Sequence, residues 1–336
     1  MSSAPLPEEI ARDATWLAQA LDPVGGRVCL VAMSRESYRA ASFLDDRLMQ
    51  QAVDAQIIAW PDIEAAMVAD LRTDARWIFH IGHVGSTLIS RLLGEIEGVL
   101  GVREPRALRD LALVPPEVRG RYIGIIPKLM SRTFAENEFA CVKTTSFVTE
   151  IAPALVPTGE RALFMYAKAR TYIASILAGE NSLLELKSHE EYRRQRLGTR
   201  GIEFSSLRND ADRAAAAWAC EMTALEESAE RMDDRAIQWA DFDEMLSDMP
   251  AGLKRTSEFF GFAADDTRLI EIAKGPLMRR YSKALEYEYT PALRYEVIAD
   301  AERRHGREMG SALAMLDAAS EKSPLLARAL SRAREG

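Results

Sequence analysis

Between Ile81 and Leu88 the chain reads IGHVGSTL. Two glycines three positions apart, followed at once by two hydroxyl residues, suit the holding of a tetrahedral anion. Gly82 and Gly85 carry no Cβ, so main-chain N–H groups can close around one point. If a helix begins at Ser86, its positive end faces that same point, and Ser86 and Thr87 add hydroxyl donors. Val84, Gly85, Ser86 and Thr87 are therefore the candidate cradle for a phosphate or sulfate group. The stretch is not a Walker A loop, because no lysine follows the last glycine. The competing reading is a tight turn capped by Ser86 that holds nothing.

Three further residues stand where chemistry is possible. His83 lies inside the turn. Glu104 precedes Pro105, which disfavours helix at Glu104 and leaves its carboxylate on a loop, with Arg103 and Arg106 as neighbours able to lower its pKa or bind anions. Lys143 ends the apolar run FACVK, and a residue at the C-terminal end of a strand faces the crevice in which open α/β sheets bind ligands. His80 reads as a satisfied core histidine. Trp218 reads as helix-to-core packing.

The elements that must position these residues follow from patterning. Apolar runs at Trp77–Ile81, Phe139–Val142, Ala162–Tyr166 and Ala236–Ala240 read as buried parallel strands, and helical stretches lie between most of them. The expected architecture is α/β: three layers, a mainly parallel sheet flanked by helices. After the loop, Leu88, Ile89, Leu92, Leu93 and Ile96 make one apolar helical face. Residues 1–75 read as an N-terminal α/β extension with one strand, Gly25–Met33, and a helix over Pro61–Leu71. A core domain spans 76–295 and a helical tail 296–336, ending in a solvated basic terminus. The arginine-rich piece Arg193–Arg213 reads as a loop or mobile cover.

The chain has 336 residues and a net charge of −8, which disfavours a general nucleic-acid or anionic-membrane surface. Cys29, Cys141 and Cys220 form no close pair, and Cys29 and Cys141 sit in apolar runs as buried thiols. With no secretory pattern at the N-terminus and no apolar stretch long enough for a bilayer, a reducing, cytoplasmic setting is expected. No metal-ligand cluster is visible.

The order and spacing of these segments resemble the sulfotransferase superfamily, which uses 3′-phosphoadenosine-5′-phosphosulfate (PAPS). Gly85, Ser86, Thr87 and Leu88 match the family's 5′-phosphosulfate loop, with His83 at its basic position. GVLGVREPRALRDL (Gly98–Leu111) resembles the segment after the loop helix in tyrosylprotein-type and bacterial members, and Glu104 falls at their catalytic base. Lys143 and Thr144 match the Lys-Thr of Lys-Thr-His, with Thr145 in place of histidine. In ALFMYAKARTYIASIL (Ala162–Leu177), Arg170 and Ser175 match 3′-phosphate ligands, and Ala167 replaces the first arginine. The stretch Ile237–Phe262 resembles a structural segment of the family. The resemblance covers roughly residues 76–295.

It implies a P-loop-like sulfotransferase fold, PAPS as co-substrate without a metal, and sulfuryl transfer to a hydroxyl or amine of a small-molecule or peptide acceptor. Glu104 would be the base, His83 the leaving-group donor, and Lys143 a bridge to the sulfonate. Lys168 or MRRYSK (Met278–Lys283) would complete the 3′-phosphate site, although MRRYSK also reads as a solvated face. Two alternatives stay open: another P-loop phosphotransferase such as a small-molecule kinase, or a non-catalytic nucleotide-binding relative.

Overall fold

The computed structural model describes residues 5–67, 70–204, 206–284 and 286–335. Its centre is a five-stranded, all-parallel sheet. Among the described residues eight strands occur in chain order: β1 (Trp16–Asp22), β2 (Arg27–Ala32), β3 (Ala55–Ala59), β4 (Arg76–His80), β5 (Val99–Arg103), β6 (Phe139–Lys143), β7 (Arg161–Tyr166) and β8 (Ala236–Asp241). The parallel sheet has the order β5-β6-β4-β7-β8. All five residues of β4 are buried, so both of its faces are covered, as a near-continuous apolar run in a parallel sheet requires. The loop helix Ser86–Leu93 and the helix Met249–Phe260 pack on one side. The helix Asp210–Glu230 packs on the other, backed by Ala169–Leu177 and Pro291–Ser320.

The topology explains where a ligand can enter. From β4 the chain crosses to β5 at one edge of the sheet, whereas from β7, beside β4, it crosses to β8 at the opposite edge. Connections that diverge from neighbouring strands open a crevice at their C-terminal ends. The IGHVGST turn leaves β4 at that end, and Ile81 N–H bonds to the Met165 carbonyl of β7 at 3.3 Å.

The four expected parallel strands are present. The fifth, β5, was not foreseen in Gly98–Leu111. Residues 16–59 hold a three-stranded antiparallel sheet, β1-β2-β3, where one strand was expected; β1 and β3 are additional. The expected helix at Pro61–Leu71 ends by Ala66, and Val68 and Ala69 lie outside the described residues. Arg193–Arg213 is not mainly a loop. Its first part belongs to the helix Glu190–Thr199 and its last to Asp210–Glu230, with Ser205 outside the described residues.

Within that piece Arg196 and Arg200 bind inward. Arg196 meets Glu221 at 2.7 Å and Glu150 at 2.5 Å, and Arg200 meets Glu150 and Glu227. The long helix Pro291–Ser320 runs through residue 295. The last helix, Pro324–Glu335, is docked rather than solvated: Arg332 pairs with Glu226 and lies 3.8 Å over the Trp239 ring, while Gly336 is outside the described residues. Cys29 is half-buried instead of buried. Among the described residues no helix is long and apolar enough to cross a membrane.

Candidate active site

The turn after β4 is clasped by His80. Its Nδ1 accepts the Gly82 N–H at 2.9 Å, so its Nε2 carries the proton and donates to the Thr144 carbonyl at 2.8 Å. Burial, with the Lys143 charge nearby, holds the imidazole well below its ordinary pKa and therefore neutral. His80 thus joins the turn to the end of β6. Gly82, His83 and Gly85 all take positive φ, at 79°, 54° and 61°. Gly85 is required sterically as well: a Cβ there would lie 2.0 Å from the Phe242 ring.

The consequence of this conformation is a set of unused donors. Among the described residues, no acceptor of the chain meets the N–H groups of His83, Val84, Gly85, Ser86 or Thr87, and neither the Ser86 nor the Thr87 hydroxyl has a partner. A helix start leaves its first N–H groups free for a cap, water or ligand. Val84 is fully buried, so it offers only its main chain. Ser86 and Thr87 line a cavity of about 210 Å³ together with Gly82, His83, Gly85, Glu104, Lys143 and Lys283.

Glu104 and Lys143 arrive from neighbouring strands. Arg103 of β5 pairs in register with Lys143 of β6. The Glu104 N–H donates to the Lys143 carbonyl at 2.7 Å, and the Lys143 ammonium donates to the Glu104 carboxylate. Pro105 keeps Glu104 out of the following helix, Arg106–Ala112, and Glu104 takes φ 53°. His83 and Glu104 are the only non-glycine residues with positive φ among those described. Both line the same cavity, and strain of this kind concentrates at functional sites.

Lys143 is 1% exposed. Burial pulls its pKa below the ordinary lysine value; the adjoining Glu104 opposes this, and Lys283 and Arg47 add to it. His83 faces Glu185 at 3.8 Å and meets the Tyr172 ring edge-on. The His83 imidazole is the main reason that Glu185 is lowered from 4.5 to about 2.

The two arginines beside Glu104 in sequence do not face it. Arg103 turns away from Glu104 and binds the carbonyls of Arg39 and Ala41. Arg106 pairs with Asp46 and Asp110. The cation facing Glu104 besides Lys143 is Arg47, at 4.0 Å, stacked 3.3 Å over Phe43. Phe43, Arg47 and Glu185 line the cavity without having been singled out as site residues, and Lys283, the last residue of MRRYSK, lines it with them. Arg47 and Phe43 come from the N-terminal segment, whose proximity no local pattern reveals.

A second cavity, of about 420 Å³, adjoins the first and shares His83, Gly85, Ser282 and Lys283 with it. It is lined on one side by Ser175 and on the other by residues from 277–283 and 287–291, among them Arg280, Tyr281, Tyr287 and Tyr289. MRRYSK is therefore a cavity wall as well as a charged surface. Arg294 also lines this cavity; it is 8% exposed, pairs with Asp243 at 3.1 Å, and leaves its Nε without a partner. Ser175 donates to the Tyr172 carbonyl. Arg170 and Lys168 line neither cavity, and Arg170 faces Glu302 at 3.7 Å. Trp218 is buried and donates its indole N–H to the Ala167 carbonyl at 2.9 Å.

No protein-family model and no curated protein matches the chain. Among solved structures it is similar to sulfotransferases at low identity. The sulfotransferase domain from the curacin biosynthetic pathway is 10% identical over 65% of this chain and 84% of that one, with a TM-score of 0.39. Mouse sulfotransferase SULT7A1 complexed with PAP is 11% identical over 79% and 91%, with a TM-score of 0.38. The sulfotransferase domain from the Synechococcus PCC 7002 olefin synthase is 14% identical over 68% and 86%, with a TM-score of 0.37.

Proposed function

We propose that the chain transfers a sulfuryl group from PAPS to a hydroxyl or amine of a small-molecule or peptide acceptor. One observation carries this reading: five consecutive N–H groups and two hydroxyls, from His83 to Thr87, that have no partner among the described residues, beside a cavity shared with Glu104, Lys143 and Lys283. Such a donor array fits a doubly charged tetrahedral group. The adjoining cavity fits the remainder of the nucleotide. Its tyrosines suit an aromatic base, and Arg280, Lys283, Arg294 and Ser175 are at hand for a second phosphate. Arg170, engaged by Glu302, is the weakest of the expected ligands, and the Arg294 Nε offers a buried donor in its place.

Bound PAPS supplies an activated sulfuryl group on a phosphate leaving group. Val84–Thr87 hold the phosphosulfate through main-chain N–H groups and hydroxyls. Glu104 takes the acceptor's proton as the acceptor oxygen or nitrogen bonds to sulfur. As the sulfur–oxygen bond to phosphate breaks, His83 donates to the departing oxygen, and the Lys143 ammonium offsets charge on the sulfonate. Before it takes the acceptor's proton, the Glu104 carboxylate opposes the burial that pulls the Lys143 pKa down.

A thermal-shift comparison of the product nucleotide PAP with ATP and magnesium tests the assignment. PAP is expected to raise the melting temperature and ATP with magnesium is not; the reverse result makes the chain a phosphotransferase. Glu104→Gln is expected to lower sulfuryl transfer by about 10²–10⁴-fold, the usual worth of a general base, with PAP still binding. PAP binding with no transfer to any acceptor would instead identify a non-catalytic relative.

A further inference from the structure

Away from the loop cavity, a third cavity of about 520 Å³ opens on the outer side of β5, between the helix Arg35–Ala40 and the C-terminal end of the loop helix. Two buried guanidinium groups reach it, Arg91 and Arg103. Arg103 is 2% exposed. Its Nε binds the Ala41 carbonyl at 2.9 Å and its Nη2 binds the carbonyls closing the helix Arg35–Ala40. Its Nη1 has no partner among the described residues and lies between Gly94 and Gly101, both of which line the cavity. A Cβ on Gly101 would stand 2.5 Å from that nitrogen, so glycine there keeps the guanidinium's path open.

Arg91 binds the Ser42 hydroxyl at 2.6 Å and the Ser282 carbonyl at 3.0 Å. Neither arginine has a carboxylate within ion-pair distance among the described residues. Burial, and then Arg91, lower the pKa of Arg103 to about 9. Glu95, which faces Arg39, is the carboxylate whose charge reaches both guanidiniums. Two buried like charges hydrogen-bonded to carbonyl and hydroxyl oxygens are still costly, and an anion between them would relieve that cost.

The mouth of the cavity is consistent with this. Glu138 and Glu95 on the wall face Arg35 and Arg39. Arg268, at the rim, donates to the Glu95 carbonyl and faces Glu271. Glu97 is exposed at the rim. The wall carboxylates are thus met by rim arginines, and among the described residues the two deep guanidiniums have no carboxylate within ion-pair distance.

We propose that this cavity is a second anion site, taking a sulfate or phosphate group, free or on a small ester. It stands apart from the sulfuryl-transfer reading, since none of its residues lines the loop cavity. Arg91 nevertheless connects the two, because Ser282, which it holds, precedes Lys283 in the loop cavity.

The test is calorimetric titration of inorganic phosphate into Ser86→Ala/Thr87→Ala protein, whose loop is weakened as a competing site. One saturable site is expected, with affinity reduced on the order of tenfold when Arg39→Ala and Arg268→Ala are added. The melting temperature of this rim variant without phosphate should be unchanged. Arg103→Met, if folded, should abolish the site. Glycerol 3-phosphate binding more tightly than phosphate would identify an ester as ligand, and equal binding would identify the free anion. Heats that never saturate, or that persist unchanged in the rim variant, overturn the proposal.

Discussion

Two regions of this molecule are rich in hydrogen-bond donors, and they use them in opposite ways. Around Arg196 and Arg200 the guanidinium groups close on Glu150, Glu221 and Glu227 in a partly buried network. Around His83–Thr87 the donors meet no acceptor among the described residues. The first arrangement is scaffold, since its charges are neutralised by the fold itself. The second is complete only when something else arrives. Donor content alone does not mark a binding site; the absence of an internal acceptor does.

The contrast can be broken by substitution. Arg196→Leu leaves Glu221 buried with a diminished partner set and is expected to destabilise the protein by about 3–5 kcal/mol. Chemical denaturation measures this, and PAP affinity of the folded fraction should stay unchanged. Altered PAP affinity would put the network in the site. Ser86→Ala and Thr87→Ala should do the reverse. Each is expected to weaken PAP binding by about 1.5–3 kcal/mol, as for a hydrogen bond to a charged group, with little change in the apo melting temperature. A large apo loss would mean that the hydroxyls serve the fold.

The smallest effect concerns His80, which clasps the turn while neutral. Its folded pKa lies below the ordinary 6.5. The unfolded chain therefore takes up a proton first on acidification. Its contribution is present above pH 6.5 and declines below it, by no more than about 1.4 kcal/mol per pH unit. Stability followed from pH 7 to pH 5 should show a shallower slope in His80→Asn than in the wild type. Equal slopes would remove His80 from the account.

The loop was legible because a strand, two glycines and an amphipathic helix are local signals, as were the four apolar strands of the parallel sheet. β5 escaped because VLGVR is short and holds a glycine, which by propensity weakens a strand. Here Gly101 is explained by the passage of Arg103 along the edge. β1, WLAQALD, alternates too weakly to be told from helix before β2 pairs with it. The companions of Glu104 were misjudged for another reason. Arg103 and Arg106 are its sequence neighbours, but the left-handed Glu104 and the helix after Pro105 aim them elsewhere. Arg47 reaches Glu104 from 57 positions upstream, a proximity created by folding alone.

Phe242 fills the space where a side chain at position 85 would stand. Arg294 lies 4.9 Å over that ring and pairs with Asp243. The turn, the end of β8 and the long C-terminal helix are thereby keyed together like wards in a lock. A tail cut before Arg294 would leave the fingerprint IGHVGST intact on paper, yet free the ring that holds its glycine in place.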